Sequence, residues 1–387
     1  MTDMLQEKSF KEIIKLENAY AEVFSFSNDT EAKEYHITVH ISNTGLNFRQ
    51  QLETLINSYN EIRISLSGNA VAVFKRYFLS DSANQENEVF DMETSDCAIS
   101  VIQQAPIDGS KVALWAYLIT GVKTRVLPNG LYMVKHNAYT HLWLGNCNIQ
   151  EINSEYQTRM MLQNYVIKLI EAGCTLADNC VRTWFFINDI DNNYTGVVKA
   201  RNDIFMTQNL TPDTHYISST GIGGRQSNHE ILAQMDAYSI NGIEHGQMKY
   251  VYAPENMNRT SEYGVSFERG TYIDYGDRRH IFISGTASID NKGNILYPEN
   301  IKRQTLRMLE NVGALLKEAD MDFTNIGMMI VYLRDIADYT TVKNMFDDKF
   351  KNSSCIIVNA SVCRPGWLIE MECMGVRDIV NKQFKTF

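Results

Sequence analysis

No stretch of about 18 consecutive apolar residues occurs in the sequence, so a membrane-spanning helix is not expected. The opening MTDMLQEKSFKEIIKLE alternates charged with apolar positions and has neither an apolar export core nor a small-residue cleavage site, so a cytoplasmic location is expected. Basic residues are in deficit: 36 Lys and Arg against 46 Asp and Glu leave a formal charge of −10. A surface of that sign excludes sequence-independent binding to phosphate backbones, so no nucleic-acid partner is expected, whereas a few arginines in one cleft can still hold a small anion. Cysteines are odd in number and scattered, at Cys97, Cys147, Cys174, Cys180, Cys355, Cys363 and Cys373, without a CxxC pair. Neither a zinc site nor a disulfide framework follows, and most of these thiols read as reduced, small core residues. The eight histidines show no metal-ligand spacing, no Ser-His-Asp arrangement is evident, and no cofactor or metal is expected.

What is present is 387 residues of 44% hydrophobic content, enough for two or three compact units at about 150 residues each. An internal repeat organises them. In the last third, HIFISGTASID from His280 reads as a buried strand, RQTLRMLENVGALLKEA from Arg303 as an amphipathic helix and GMMIVYLRD from Gly327 as a second strand. YTTVKNMFDDKF from Tyr339 follows as a second helix, then CIIVNASV from Cys355 and WLIEMECMGV from Trp367 as two further strands. The middle third repeats this order from THLWLGN (Thr140) through VRTWFFIND (Val181) and YTGVVKARNDIF (Tyr194) to LAQMDAY (Leu232). The first third repeats it from HITVHIS (His36) to KVALWAYLI (Lys111), with a poorly defined second helix. Registration marks tie the copies together. Gln50, Gln157 and Gln304 each stand seven residues before an Asn (Asn57, Asn164, Asn311) and 31 or 32 before an Asp (Asp81, Asp189, Asp335). The Gln and Asn side chains themselves are expected to cap or solvate helix faces.

The expected fold class is α+β, with three units over residues 1–120, 121–245 and 246–387. Each is a mixed sheet with both helices on one face, and the bare faces must cover one another. The simplest packing is a pseudo-threefold assembly within one chain, as a monomer or in a homo-oligomer, with ligand clefts where units meet.

The last unit resembles the reactive-intermediate (imine) deaminase family, also called the YjgF or Rid family, whose members are trimers of one such chorismate-mutase-like unit. The matching segments are ISGTASID from Ile283, RQTLRMLENVGALLKEA, VYLRDIADY from Val331 and WLIEMECMGV. The whole chain looks more like a divergent relative, the chorismatases, which join a degenerate Rid-like half to an intact one, with matching segments over much of residues 180–375. There the matching segments are VRTWFFIN, STGIGG from Ser219, QMKYVYAPENMNRTSEYGVSFERG from Gln247, SGTAS from Ser284 and VCRPGWLIEME from Val362. The chain departs from the chorismatase Trp-Asn-Tyr pattern, since Phe185 and Phe186 follow Trp184.

Strand alternation puts Glu370 with Leu368 and Glu372 on one face, opposite Trp367, Ile369 and Met371. The equivalent places in the other units are Gln234 and, within a residue, Ala113, so one copy alone keeps the acid. A carboxyl desolvated beside a cleft has a raised pKa suited to proton transfer near neutral pH; a solvated strand-edge carboxylate is the plainer alternative. Both resemblances imply a catalytic acid/base here. The resemblance also sets Cys355, fifteen residues before Glu370, where imine deaminases hold the substrate carboxylate with an arginine, which disfavours deamination. It sets Cys363 where chorismatases forming 3-hydroxybenzoate carry a cysteine.

A dianionic substrate such as chorismate needs cationic forks. The candidates are Arg182, Arg334, Arg201 and Arg269, each of which could instead serve a salt bridge. Tyr250 and Tyr263 could stack on a ring substrate. Gly221, in STGIGGRQ, lies in a run whose exposed N–H groups could hold an anion or simply form a tight turn; its context is not that of a nucleotide loop. The expected function is a cofactor-free, chorismatase-like hydrolase, with an imine or enamine deaminase or a non-enzymatic small-anion binder as the alternatives.

Overall fold

The computed structural model describes residues 8–94, 96–351 and 353–387, with Tyr263 described by its backbone alone. The first sheet holds β1 (Ser9–Leu16), β2 (Ala19–Phe26), β3 (Glu34–Ile41), β4 (Val71–Leu79), β5 (Ala98–Gln103) and β6 (Val112–Ile119), with helices α1 (Phe48–Ser65) and α2 (Ser82–Met92). The second holds β7 (Lys123–Val126), β8 (Tyr132–His136), β9 (Tyr139–Asn148), β10 (Cys180–Ile187), β11 (Ser218–Gly223) and β12 (Ala233–Asn241), with α3 (Ser154–Glu171), the single turn α4 (Leu176–Asn179) and α5 (Ile190–Thr207). The third holds β13 (Met248–Val251), β14 (Gly270–Asp274), β15 (Arg278–Ala287), β16 (Ile326–Leu333), β17 (Cys355–Asn359) and β18 (Ile369–Asp378), with α6 (Ile301–Glu318) and α7 (Tyr339–Lys349).

The strand orders are the same three times over: β1-β2-β3-β6-β4-β5, β7-β8-β9-β12-β10-β11 and β13-β14-β15-β18-β16-β17. In each sheet one edge pair, β4–β5, β10–β11 or β16–β17, is parallel, and a parallel pair needs a crossover. That is why α2, α5 and α7 lie where they do. Alternation along β6 shows how each sheet divides its faces. Val112, Leu114, Ala116 and Leu118 pack in one cluster with Leu52, Leu55, Tyr59 and Ile62 of α1. Ala113, Trp115, Tyr117 and Ile119 face the opposite way, into a core shared with Trp143 and Trp184 of the second unit and Phe282 and Tyr332 of the third. The chain therefore carries internal pseudo-threefold symmetry, with the bare sheet faces covering one another. No helix among the described residues is long and apolar enough to cross a membrane.

Each unit has two more strands than the four expected. The extra pairs β1–β2, β7–β8 and β13–β14 precede the expected order. Their outer members are edge strands such as KTRV, mostly exposed and polar, so they carry little hydrophobic period. The first unit's second helix, poorly marked in sequence, is formed as α2.

Three of the six Gln and Asn registration marks cap or solvate helix faces as expected, and Gln157, Gln304 and Asn311 are buried instead. Asn47, Asn153 and Asn300 cap the first helix of each unit, each accepting a backbone N–H three residues on at 3.0 Å. Four residues after each cap stands a fully buried glutamine, namely Gln51, Gln157 and Gln304. Gln304 donates to the carbonyls of Tyr297 (3.2 Å) and Gly366 (2.9 Å) and accepts from Leu368 N (2.9 Å), stapling helix to sheet. Gln157 and Gln51 bond backbone in the same manner. Gln50 only completes a capping box, one residue off register. Asn57 and Asn164 are exposed, whereas Asn311 is buried and donates to Ala287 O (3.0 Å) and Ile289 O (3.1 Å). Asp81, Asp189 and Asp335 each follow the strand end and precede the crossover helix, as expected.

Candidate active site at the seam of the second and third units

Glu370 lies on β18, opposite Ala287 of β15 and Tyr332 of β16. Beside it β15 carries an extra residue at Ser284–Gly285, where the register moves from Ile283↔Cys373 to Thr286↔Met371. Such a bulge bends the strand and re-aims its groups. Ser284 Oγ donates to Glu268 O at 2.6 Å, and Gly285 N–H donates to Thr220 Oγ1 of the second unit at 2.9 Å. The carboxyl lies over Gly285, where a Cβ would stand 2.2 Å from Glu370 Oε1. Glu370 is 4% exposed. Burial, then repulsion from Glu372, pushes its pKa up to about 8, against the opposing pull of Arg182 and Arg269.

Glu372, two residues along the same face, has partners Glu370 lacks. Arg182 and Thr220 bond it, Trp184 Nε1 donates at 2.9 Å and Tyr332 OH at 3.1 Å. Arg76 of the first unit adds a guanidinium 3.6 Å away. No hydrogen bond reaches the Glu370 carboxyl among the described residues, so neighbouring carboxyls occupy opposite environments.

Glu370 opens on a cavity of about 230 Å³ between the second and third units. The walls are joined across the seam by backbone bonds from Gly223 N to Ser361 O (2.8 Å) and from Glu268 N to Ile217 O (3.1 Å). The second unit contributes Arg201 from α5 and Ser219 and Gly221 from β11; the third contributes Phe267, Arg269 and Cys363. Arg201 belongs to the inward stripe of α5 with Val197, Ala200 and Ile204. It is 1% exposed, its Nε and Nη2 are buried, and neither has a hydrogen-bond partner among the described residues. The guanidinium groups of Arg201 and Arg269 stand 6.0 and 5.5 Å from the Phe267 ring. Arg269 is also anchored to Asn258 O at 3.0 Å. A buried cation with unmet donors is costly unless an anion meets them.

The structure brings together Glu370, Cys363, Arg201, Arg269 and Gly221 of the residues singled out in the sequence. Cys363 is a neutral thiol there, pushed up to about 12 by burial and by Glu370. Arg182 is not in the cleft; it lies beneath it, spent on Glu372, Thr220 and Ser284. Arg334 is not in the cleft either. It ties Asp191 of α5 to the Val362 carbonyl (2.7 Å), so it braces the segment leading to Cys363. Tyr250 stacks on His215 at 4.6 Å, outside the cleft. The Tyr263 side chain lies outside the described residues.

Cys355 also stands elsewhere than expected. It faces Met329 on β16, whose counterpart on β10 is Thr183, and Thr183 faces Ser219. The edge strand of each unit serves the next seam, so Ser219, not Cys355, occupies that register beside Glu370, and Cys355 lines the cleft between third and first units. Sequence reasoning did not single out Gly285 or Phe267, although both lie in segments that carry the resemblance; the signal for Gly285 is its place in SGTAS, on the strand paired directly with that of the acid. At the remaining seam, between first and second units, the position matching the acid is occupied by a hydrogen-bonded amide. Gln234, the counterpart of Glu370, bonds Gln226 and Ser100, and Gly145 lies so close to Ile99 O that a Cβ would be 2.3 Å away.

The family described as Endoribonuclease L-PSP matches residues 269–377. A RutC family protein of Pyrococcus abyssi is 31% identical over 100 residues, 25% of this chain and 79% of that protein. The 2-iminobutanoate/2-iminopropanoate deaminase of Homo sapiens is 35% identical over 101 residues, 26% of this chain and 74% of the enzyme. A crystal structure of a chorismatase is similar over 80% of this chain and 95% of its own, with a TM-score of 0.64 and 15% identity, a likeness of fold.

Proposed function

The chain belongs to the Rid superfamily of endoribonuclease L-PSP and RutC proteins, and on that premise we propose that the Glu370 cleft is the active site of a cofactor-independent, chorismatase-like hydrolase. Its substrate would be chorismate, cleaved at the enolpyruvyl ether to pyruvate and a hydroxybenzoate or dihydrodiol. The observation that carries this reading is a buried carboxyl with a pKa of about 8 sharing a small cavity with an arginine whose Nε and Nη2 have no partner among the described residues. The chorismatase-like fold over most of the chain supports it as well.

Near neutral pH most Glu370 carboxyls carry a proton, and the carboxyl faces a cavity rather than bulk water. It delivers that proton to the enolpyruvyl methylene, leaving positive charge shared by the former vinyl carbon and the ether oxygen. Water adds to that carbon and its proton returns to the Glu370 carboxylate. The hemiketal then collapses: its hydroxyl proton passes to the Glu370 carboxylate as the ring oxygen takes the proton held there and leaves, giving pyruvate and the dihydrodiol, which becomes a hydroxybenzoate on loss of water. Arg201 and Arg269 hold the carboxylates, and Cys363 shapes the ring pocket as a neutral thiol rather than as a nucleophile.

The family supports a second reading, deamination of a 2-imino acid, because the matched segment includes Glu370. Purified protein given chorismate and, separately, a freshly generated 2-imino acid distinguishes the two by pyruvate with a dihydrodiol or hydroxybenzoate against ammonia. Turnover of chorismate that falls about 100-fold or more in Glu370→Gln supports the first reading. Ammonia release alone supports the second, and turnover of neither, with carboxylates still binding, leaves a small-anion binding protein.

A further inference from the structure

The seam between the first and third units encloses a cavity of about 400 Å³ that the proposed reaction does not use. It holds the counterpart register of the Glu370 site. Ala287 pairs with Glu370 in the third unit, and His40 pairs with Ala113 in the first. The acid is lost, and an imidazole appears on the partner strand.

His40 is 5% exposed and stands between two carboxylates, with Nε2 3.6 Å from Glu22 Oε2 and Nδ1 3.9 Å from Asp108 Oδ2. Both separations exceed hydrogen-bond length, and Nε2 is buried without a hydrogen-bond partner among the described residues. The carboxylates are fixed. Glu22 Oε2 accepts from Cys355 N (2.7 Å) and Thr38 Oγ1 (3.0 Å), and Asp108 Oδ1 accepts from Ser110 N (2.9 Å) and Oγ (2.6 Å). Glu22 Oε1 and Asp108 Oδ2 receive no hydrogen bond among the described residues. Tyr20 lies flat on the imidazole at 4.7 Å and 10°, and Tyr339 and Phe346 of α7 form the apolar wall opposite. The remaining charges on that side are Lys343, paired with Asp347 at 2.5 Å, and Lys351.

We propose that this cavity binds a small primary ammonium ion carrying an aromatic tail, its three N–H donors taken by Glu22, Asp108 and the His40 ring nitrogen and its tail packed against Tyr20, Tyr339 and Phe346. An ammonium ion offers three donors and no acceptor, which is what two fixed carboxylates and an unpartnered imidazole lack. The two carboxylates hold His40 protonated up to about 9. The ligand takes the place of that proton, so binding at neutral pH releases about one proton per site.

The test is calorimetric titration of the full chain with phenethylamine in two buffers of different ionisation enthalpy, with phenylacetate as the anionic control. The expected result is saturable binding of phenethylamine, tightening from pH 6 to pH 8, with proton release and no binding of phenylacetate. Glu22→Gln and Asp108→Asn, which keep the backbone-accepting oxygen, each weaken it about tenfold. Absence of saturation by about 10 mM, equal binding of phenylacetate, or affinity unmoved in both variants overturns the proposal. Glu370→Gln leaves the isotherm unchanged, so its outcome is separate from that of the hydrolase reading.

Discussion

The Glu370 carboxyl rests on the Cα of Gly285 from the neighbouring strand, closely enough that a methyl group there would meet Oε1 at 2.2 Å and Thr220 Cγ2 at 3.1 Å. The bulge that carries Gly285 is therefore matched to the acid, and a side chain there has to move one or the other. Gly285→Ala is expected to reduce chorismate turnover more than tenfold while destabilising the fold by about 1–3 kcal/mol. Paired kinetics and denaturant unfolding check it: full activity in a folded Gly285→Ala protein would place the chemistry away from Glu370.

The pH behaviour of Glu370 has a definite sign. Its folded pKa, about 8, lies above the ordinary 4.5, so between those values the folded state holds a proton that the unfolded chain releases. This group's contribution therefore favours folding fully below about pH 4.5 and is lost as the pH rises through 8. Glu370→Gln, which never ionises, should match the parent at pH 5 and exceed it by about 2–4 kcal/mol at pH 9. The limb of kcat/KM above pH 8 should fall in the parent, since the acid form is the active one. Urea unfolding at the two pH values checks the first statement and a pH–rate profile the second.

Arg182 and Arg201 are both buried arginines of the second unit with opposite accounts. Arg182 has Glu372, Thr220 and Ser284 as partners. Its loss strands a carboxylate in the core, so Arg182→Met is expected to destabilise by about 3–5 kcal/mol. A drop in melting temperature with KM unchanged in whatever folds is the expected signature. An unchanged melting temperature with raised KM would restore it to the substrate-binding role.

Much of this was legible in the chain because the units bury whole strands. Runs such as VALWAYLI and IGMMIVYL are covered on both faces and read as continuous apolar segments, which locates the repeat. Glu370 was legible for the same reason, as an ionisable residue placed by alternation within a buried strand. The outer edge strands were not, because KTRV is a polar, mostly exposed strand whose only signal is its backbone pairing. Arg182 was misplaced because its partner is Glu372, 190 residues away on another unit. Cys355 was misplaced because each edge strand serves the adjacent seam, a geometry that spacing to Glu370 within one unit does not encode. Arg201 could have been weighed more heavily, since it interrupts the apolar stripe Val197, Ala200 and Ile204 on one face of its helix.

That interruption supports a prediction opposite to the one for Arg182. The Arg201 Nε and Nη2 atoms are buried with no partner among the described residues, so in the free protein the guanidinium is a burden on folding. Arg201→Gln should leave the melting temperature unchanged or higher, whereas removal of a partnered buried arginine lowers it. The loss should appear when an anion is present. A carboxylate that bonds a guanidinium in a small cavity gains about 1.5–3 kcal/mol, so the variant should bind substrate about 10- to 100-fold more weakly. Arg201→Lys should recover the charge but only part of the binding, because a single ammonium cannot reproduce a planar fork. Thermal unfolding with and without 3-hydroxybenzoate gives the decisive comparison: ligand stabilises the parent and not Arg201→Gln. Equal stabilisation of both would mean that the carboxylate is held by Arg269, with Arg201 serving only to fill the helix face.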